Sequence, residues 1–177
     1  MIFEFDEFYI AIVEAIDLDD VLKVYRSNKD FLLHHMGRDS VTFAWLQSEI
    51  EAMKASDVYS YKVCDKNTGN IIGIVDFKIG DETYLSLLMV HRDYRNSGMG
   101  TRIYQAIEEY VKSSNSTSIK IDVAIDYDNS VLDFWIKRGF TKIQEVTLHW
   151  TGKSFPAVMM KKTLSHSALE IPLTINS

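Results

Sequence analysis

The segment Val90-His91-Arg92-Asp93-Tyr94-Arg95-Asn96-Ser97-Gly98-Met99-Gly100-Thr101 has residue types and spacing suited to holding an anion. An apolar strand ends at Val90, and a helix opens near Gly98. The first turn of a helix leaves several backbone N–H groups without internal partners and presents the positive end of its dipole. Glycines there remove the side chains that would keep a phosphate at a distance. The pattern therefore reads as a cradle in which a pyrophosphate rests on main-chain amides. A glycine pair that only shapes a loop is the competing reading. Two other phosphate motifs are excluded. The pattern G-x-G-x-x-G fails because Gly100 is followed by Thr101, Arg102 and Ile103, and no Gly-Lys-Ser/Thr follows to make a P-loop.

The elements that must position this loop follow from hydrophobic periodicity. Tyr9 to Ile16 reads as a strand, and Leu18, Val21, Leu22 and Tyr25 recur at helical spacing to about Ser27. Residues 28–38 read as a loop. Asp39-Ser40 caps a second helix with Val41, Trp45, Leu46, Ile50 and Met53 as its apolar stripe. Three strands, Tyr59 to Cys64, Ile71 to Lys78 and Tyr84 to Val90, form an antiparallel meander through the turns at 67–70 and 80–82. The helix Met99 to Ser113, a strand from Ser118 to Ile125, a short helix from Asp128 to Arg138 and two last strands complete the chain. The order predicts an α/β (α+β) fold: a mixed, mostly antiparallel sheet of about seven strands with about four helices on its faces. Residues 1–164 read as one domain and 165–177 as a tail, disordered or docked.

A second segment, Asp128-Asn129-Ser130-Val131-Leu132-Asp133-Phe134-Trp135-Ile136-Lys137-Arg138-Gly139-Phe140, supplies a further motif. Arg95-x-x-Gly98-x-Gly100 resembles the Q/R-x-x-G-x-G/A signature of the GNAT acetyltransferases. The second segment is similar to that family's N-x-x-A/V-x-x-F-Y/W-x-x-x-G-F helix, at the spacing the family expects. The resemblance covers roughly residues 8–164.

It implies an N-acetyltransferase that takes acetyl-CoA as co-substrate and passes the acetyl group to a primary amine by direct attack. A non-catalytic acyl-CoA-binding or sensing module is the alternative. Arg95, Asn96, Ser97, Gly98, Met99, Gly100 and Thr101 would bind the diphosphate. Arg102 is a weaker possibility for the 3′-phosphate. Backbone groups of Leu88, Met89 and Val90 would pair with the pantetheine amides like an added strand, and an N–H of Val90 or Met89 would stabilise the oxyanion.

Two departures from the family pattern stand out. Asp128 occupies the usual Asn position, with Asn129 one residue later as a pantetheine contact. Trp135 stands where many relatives carry a Tyr that protonates the leaving thiolate, and an indole supplies no such acid. The amine must attack in its neutral form, so a base is needed. Tyr84 and Asp76 are the leading candidates, with Glu82 and His149 behind them. Tyr84 is expected on the strand face shared with Ser86 and Val90. The link with Phe31, His34, His35 and Met36 is the expected region of acceptor selection. Adjacent histidines do not share a helix face, so no metal site is expected there.

Composition narrows the classes. The chain has 177 residues, a formal net charge of −6 and 46% hydrophobic residues, with no basic run of the kind that binds nucleic acid. No apolar run approaches the ~20 residues of a membrane span. Cys64 is the single cysteine, and the N-terminal residues lack a signal-peptide pattern, which fits a cytoplasmic protein. The last strands and the apolar tail could pair between chains in a homodimer.

Overall fold

The computed structural model describes residues 3–165, so the tail expected at 165–177 lies, apart from its first residue, outside the described residues. Eight strands form one sheet: β1 (Phe3–Glu4), β2 (Phe8–Ile12), β3 (Tyr59–Asp65), β4 (Ile71–Lys78), β5 (Glu82–Val90), β6 (Ser118–Ala124), β7 (Thr141–Trp150) and β8 (Lys153–Thr163). Their spatial order is β1-β2-β3-β4-β5-β6-β8-β7, and every neighbouring pair is antiparallel except β5–β6. Five helices cover it: α1 (Leu18–Ser27), α2 (Lys29–Met36), α3 (Phe43–Ala55), α4 (Met99–Ser113) and α5 (Asn129–Ile136).

The fold class is the one the periodicity predicts, with two more elements than expected. One is the two-residue strand β1. The other is α2, where the sequence suggests a loop. Leu32, His35 and Met36 are buried at helical spacing, but a histidine occupies one of those positions and blurs the apolar stripe. Gly37 ends the helix at φ 70°, in the left-handed region that glycine tolerates without strain. The first strand is also shorter than expected. It stops at Ile12, and Ala15–Asp17 forms a 3-10 turn in which Asp17 Oδ2 accepts from the Glu14 N–H at 2.8 Å. The helix expected to be capped by Asp39-Ser40 is capped by Thr42, whose side chain accepts from Trp45 N–H.

Each face of the sheet has its own core. On one face α4 packs Ile103, Ala106, Ile107 and Val111 against Ile10, Val63, Ile72, Val75 and Phe77. On the other, α1, α2 and α3 pack Leu22, Tyr25, Leu32 and Leu46 against Ile74 and Met89. Burying each such aliphatic side chain stabilises the fold by about 1.5–3 kcal/mol. These two cores fix β4 and β5, the strands that carry the site.

Candidate active site

β5 and β6 pair only through Glu82↔Ser118, Thr83↔Ile119 and Tyr84↔Lys120. Beyond Tyr84 and Lys120 the two strands splay, and the inner edge of β5 has no strand beside it. On its other edge, β5 stays paired with β4 up to the His91 N–H, which donates to Ile72 O at 2.8 Å. Along an antiparallel strand alternate residues turn their amides to opposite edges. His91, and therefore Met89, which faces Ile74, are turned toward β4. Leu88 and Val90 are turned into the gap. Of the three backbone positions expected to receive a ligand strand, Met89 is thus engaged in the sheet, while the amide of Leu88 and the N–H of Val90 have no strand partner and Val90 O accepts from Asn28 at 3.2 Å.

The register from β4 to β5 runs Phe77↔Leu85 and then Asp76↔Leu87, so Ser86 is the extra residue of a bulge. The bulge reverses which residues face which core. Leu85, Leu88 and Val90 contact the α4 side, while Leu87 and Met89 contact the α1–α3 side. Tyr84 therefore shares a face with Leu87 and Met89 and not with Val90, contrary to simple alternation. A bulge is invisible to a period-two reading, which explains the error.

The glycine segment follows. Arg92–Tyr94 is a 3-10 turn, and Asn96 and Gly98 take φ 59° and 77°. Gly98 is the N-cap of α4, and the first intrahelical bond is made by Arg102 N–H to Gly98 O at 3.1 Å. The N–H groups of Met99, Gly100 and Thr101 precede any helical acceptor and open on the cleft. A Cβ on Gly98 would meet nothing within 4 Å, and one on Gly100 would reach the Phe134 ring at 3.6 Å. The cradle is thus open space backed by an aromatic ring. Arg95 donates to Asn28 Oδ1. Asn28, 2% exposed between α1 and α2, donates to Val24 O at 2.8 Å and to Val90 O at 3.2 Å. Arg102 is turned elsewhere, to Glu7 at 3.2 Å.

In the second motif Asp128 is the N-cap of α5 and accepts from Ser130 N–H at 2.9 Å. Asn129, expected as a pantetheine contact, is exposed and does not line the cleft; Asp128, Ser130 and Val131 do. Trp135 is 8% exposed, stacks edge-on with Tyr104, Phe134 and Phe140, and also lines the cleft. Phe134 lines the cleft, with the Arg138 guanidinium 3.2 Å from its ring centre.

A cavity of about 810 Å³ runs from this segment through the gap to the α1–α3 face. There it is lined by Tyr25, Glu49, Asp76, Tyr84, Asp122 and Trp150. The Tyr84 hydroxyl donates to Asp122 Oδ2 at 3.0 Å. Burial, followed by the Asp122 charge, raises its pKa, so Tyr84 stays a protonated donor and is a poor base. Asp76 is 2% exposed, and its Oδ1 has no partner. Burial pushes its carboxyl up to about 7; a hydrogen bond from Ser60 works against that shift and the Glu49 charge adds to it. A carboxyl poised there is matched to proton transfer near neutral pH. Of the other two candidates, His149 also lines the cavity, whereas Glu82 pairs with Lys161 at 2.5 Å outside it.

The sequence profile of the Acetyltransferase (GNAT) family matches residues 23–140. The chain belongs to the GNAT family of acyltransferases. No curated protein sequence matches it. Solved structures agree on the fold. The spermidine N-acetyltransferase of Vibrio cholerae, in complex with CoA and spermine, superposes with a TM-score of 0.69 at 14% identity, over 89% of this chain and 95% of that one. The ribosomal-protein-S5-alanine acetyltransferase of Vibrio fischeri gives 0.68 at 19% identity, over 91% and 95%. The PaiA N-acetyltransferase of Thermoplasma acidophilum, in complex with coenzyme A, gives 0.62 at 15% identity, over 89% and 99%.

Three residues of this GNAT cleft carry no sequence signal of their own. Asn28 only opens a segment that reads as a loop. Asp122 sits between Ile121 and Val123, which enter the α4-side core, so alternation could have placed it on the opposite face. Glu49 accepts from Trp150 Nε1 at 2.7 Å, a contact between α3 and β7 that only the tertiary fold creates. Among the described residues no helix is long and apolar enough to cross a membrane.

Proposed function

We propose that this chain transfers the acetyl group of acetyl-CoA to a primary amine of a small molecule or peptide by direct attack. The observation that carries the reading is the gap between β5 and β6, which leaves the Leu88 and Val90 amides without a strand partner beside the first turn of α4, where a Cβ on Gly100 would come within 3.9 Å of Val90. The residues present fit the coenzyme. The amides of Met99, Gly100 and Thr101, with Arg95 beside them, suit a diphosphate. The free edge of β5 suits the two amides of a pantetheine arm.

The catalytic reading assigns two roles. Val90 N–H donates to the acetyl oxygen as negative charge develops there. Asp76 takes a proton from the incoming ammonium, which leaves the neutral amine to attack. The C–N bond forms as the C–S bond breaks, and the second amine proton leaves with the thiolate through solvent in the cleft. A thiolate is a stable enough leaving group, with a thiol pKa of about 8.5, to make a dedicated acid at Trp135 dispensable. The reading places the enzyme in the cytoplasm, where an unpaired Cys64 stays reduced.

The test is thiol release from acetyl-CoA with a panel of primary amines, together with mass spectrometry of the products and calorimetry of coenzyme binding. Thiol release that depends on an amine, with an acetylated product, is expected. Coenzyme binding without release by any amine would leave a binding module, and absence of binding would remove the reading altogether.

A further inference from the structure

The two ends of the cavity differ in charge: near the start of α4 Arg95 offsets Asp128, whereas the far end carries three carboxylates and, among the described residues, no lysine or arginine. Arg95, beside the N-terminus of α4, is the only lysine or arginine that lines the cavity among the described residues. Glu49, Asp76 and Asp122 line the far end, from α3, β4 and β6. Glu49 accepts from the Trp150 indole and Asp122 from the Tyr84 hydroxyl. Both donors are neutral, so they orient the carboxylates without cancelling charge. Asp76 Oδ1 and Asp122 Oδ1 are buried with no partner, and Asp76 as a whole is 2% exposed. Buried carboxylate oxygens are ordinarily paired, so these point to donors brought by a ligand. Among the described residues no lysine or arginine lines this end. Lys120 turns to Glu82 at 3.5 Å and does not line the cavity, and burial lowers His35 to about 4, which leaves it neutral.

One reacting amine cannot balance this end. It arrives as an ammonium and passes its proton to Asp76, which neutralises that carboxylate but leaves Glu49 and Asp122 without a counter-charge. We infer that the acceptor carries a second ammonium, held by Glu49 and Asp122 while the first amine reacts. The acceptor class is a flexible aliphatic diamine or polyamine. Met53, one turn from Glu49 on α3, and the Trp150 ring give methylenes an apolar wall and a cation a π face. This inference rests on the acetyl-transfer reading and narrows its acceptor.

Steady-state kinetics with matched pairs test it: putrescine against n-butylamine, and cadaverine against n-pentylamine, alongside a peptide with a free N-terminus and an amino sugar. The diamines are expected to exceed their monoamine partners in kcat/KM by roughly 30-fold or more, as desolvated charge pairs allow. Asp122→Asn and Glu49→Gln should each shrink that ratio several-fold, chiefly through the KM of the diamine. Two variants from different elements keep the test open should one fail to fold. A ratio near unity, a ratio unmoved in both folded variants, or a preference for the peptide or the amino sugar would overturn the diamine proposal and leave acetyl transfer standing. Coenzyme binding with no amine acetylated would remove both.

Discussion

The two ends of the cleft are built from different materials. At the end proposed to hold the diphosphate the candidate groups are backbone amides of one continuous segment, Gly98 to Thr101, and their geometry follows from a single helix start. At the end proposed to hold the acceptor the candidate groups are side chains from α3, β4, β6 and β7, brought together only by tertiary packing. A backbone site tolerates almost any side chain that leaves room, so glycine positions define it. A side-chain site depends on particular carboxylates and can change its ligand with one substitution. The first end suits a ligand common to a whole family, and the second suits a ligand particular to one member.

The sharpest way to break this contrast is Gly98→Asp. The position has φ 77°, which strains any L side chain, but a Cβ there meets nothing within 4 Å, so the cost is confined to the local backbone while a carboxylate occupies the cradle. Aspartate also tolerates the left-handed region better than most residues. Calorimetry should show coenzyme affinity falling by about a thousandfold, ~4 kcal/mol, with the melting temperature lowered by only a few degrees through the strained φ. Unchanged affinity would show that the anion sits elsewhere.

The second prediction concerns the acceptor end and the stability of the whole chain. Asp76 has a folded-state pKa of about 7, above the ~3.9 of an unfolded chain, so the folded state holds the proton longer. Stability from this group is therefore greatest below about pH 4, falls as pH rises toward 7, and is level above that. The loss across the window is on the order of 4 kcal/mol, because each tenfold difference in proton affinity between the folded and unfolded chain is worth about 1.4 kcal/mol. Urea unfolding at a series of pH values should show the decline in the native chain and a flatter profile in Asp76→Asn. Parallel profiles would mean that Asp76 ionises normally.

The same contrast governs what the sequence could reveal. The loop and helix start were legible because local backbone conformation sets them, and the glycines of Arg95-x-x-Gly98-x-Gly100 mark that conformation. The meander of β3, β4 and β5 was legible for the same reason, through alternation and turn residues. The acceptor end was not. The Ser86 bulge reverses the facing of Tyr84 without leaving any mark in hydrophobic alternation. Asp122 and Tyr84 are far apart in the chain, and their 3.0 Å contact exists only because β5 and β6 pair for three residues before parting. Helix α2 was hidden by the His34-His35 pair, whose second member is buried against Phe31, Tyr127 and Phe155 where an aliphatic residue would normally mark the stripe.

A third prediction separates chemistry from binding. Asp76→Asn keeps the shape of the side chain and removes the proton acceptor. At pH 8 the kcat/KM for the amine should fall by about 100-fold, within the range for loss of a general base. Coenzyme affinity, set at the other end of the cleft, should stay within about twofold, since distant sites act independently. A fall in coenzyme affinity as large as the fall in turnover would mean that the two ends are not independent.

Asn28 links the two materials and gives the smallest effect. Its amide nitrogen holds Val90 O at 3.2 Å, and its oxygen receives the Arg95 guanidinium. One buried side chain thus ties the end of β5 to the cation of the phosphate cradle, from the point where α1 passes into α2. Asn28→Ala should weaken coenzyme binding by about tenfold, ~1.4 kcal/mol, because Arg95 loses the partner that orients it. A double-mutant cycle identifies the route. If Asn28 acts through Arg95, the pair Asn28→Ala and Arg95→Ala together should bind scarcely worse than Arg95→Ala alone. If the two losses simply add, Asn28 acts instead on the Val90 carbonyl and the free edge of β5. The cradle would then be set by strand position as well as by the helix start.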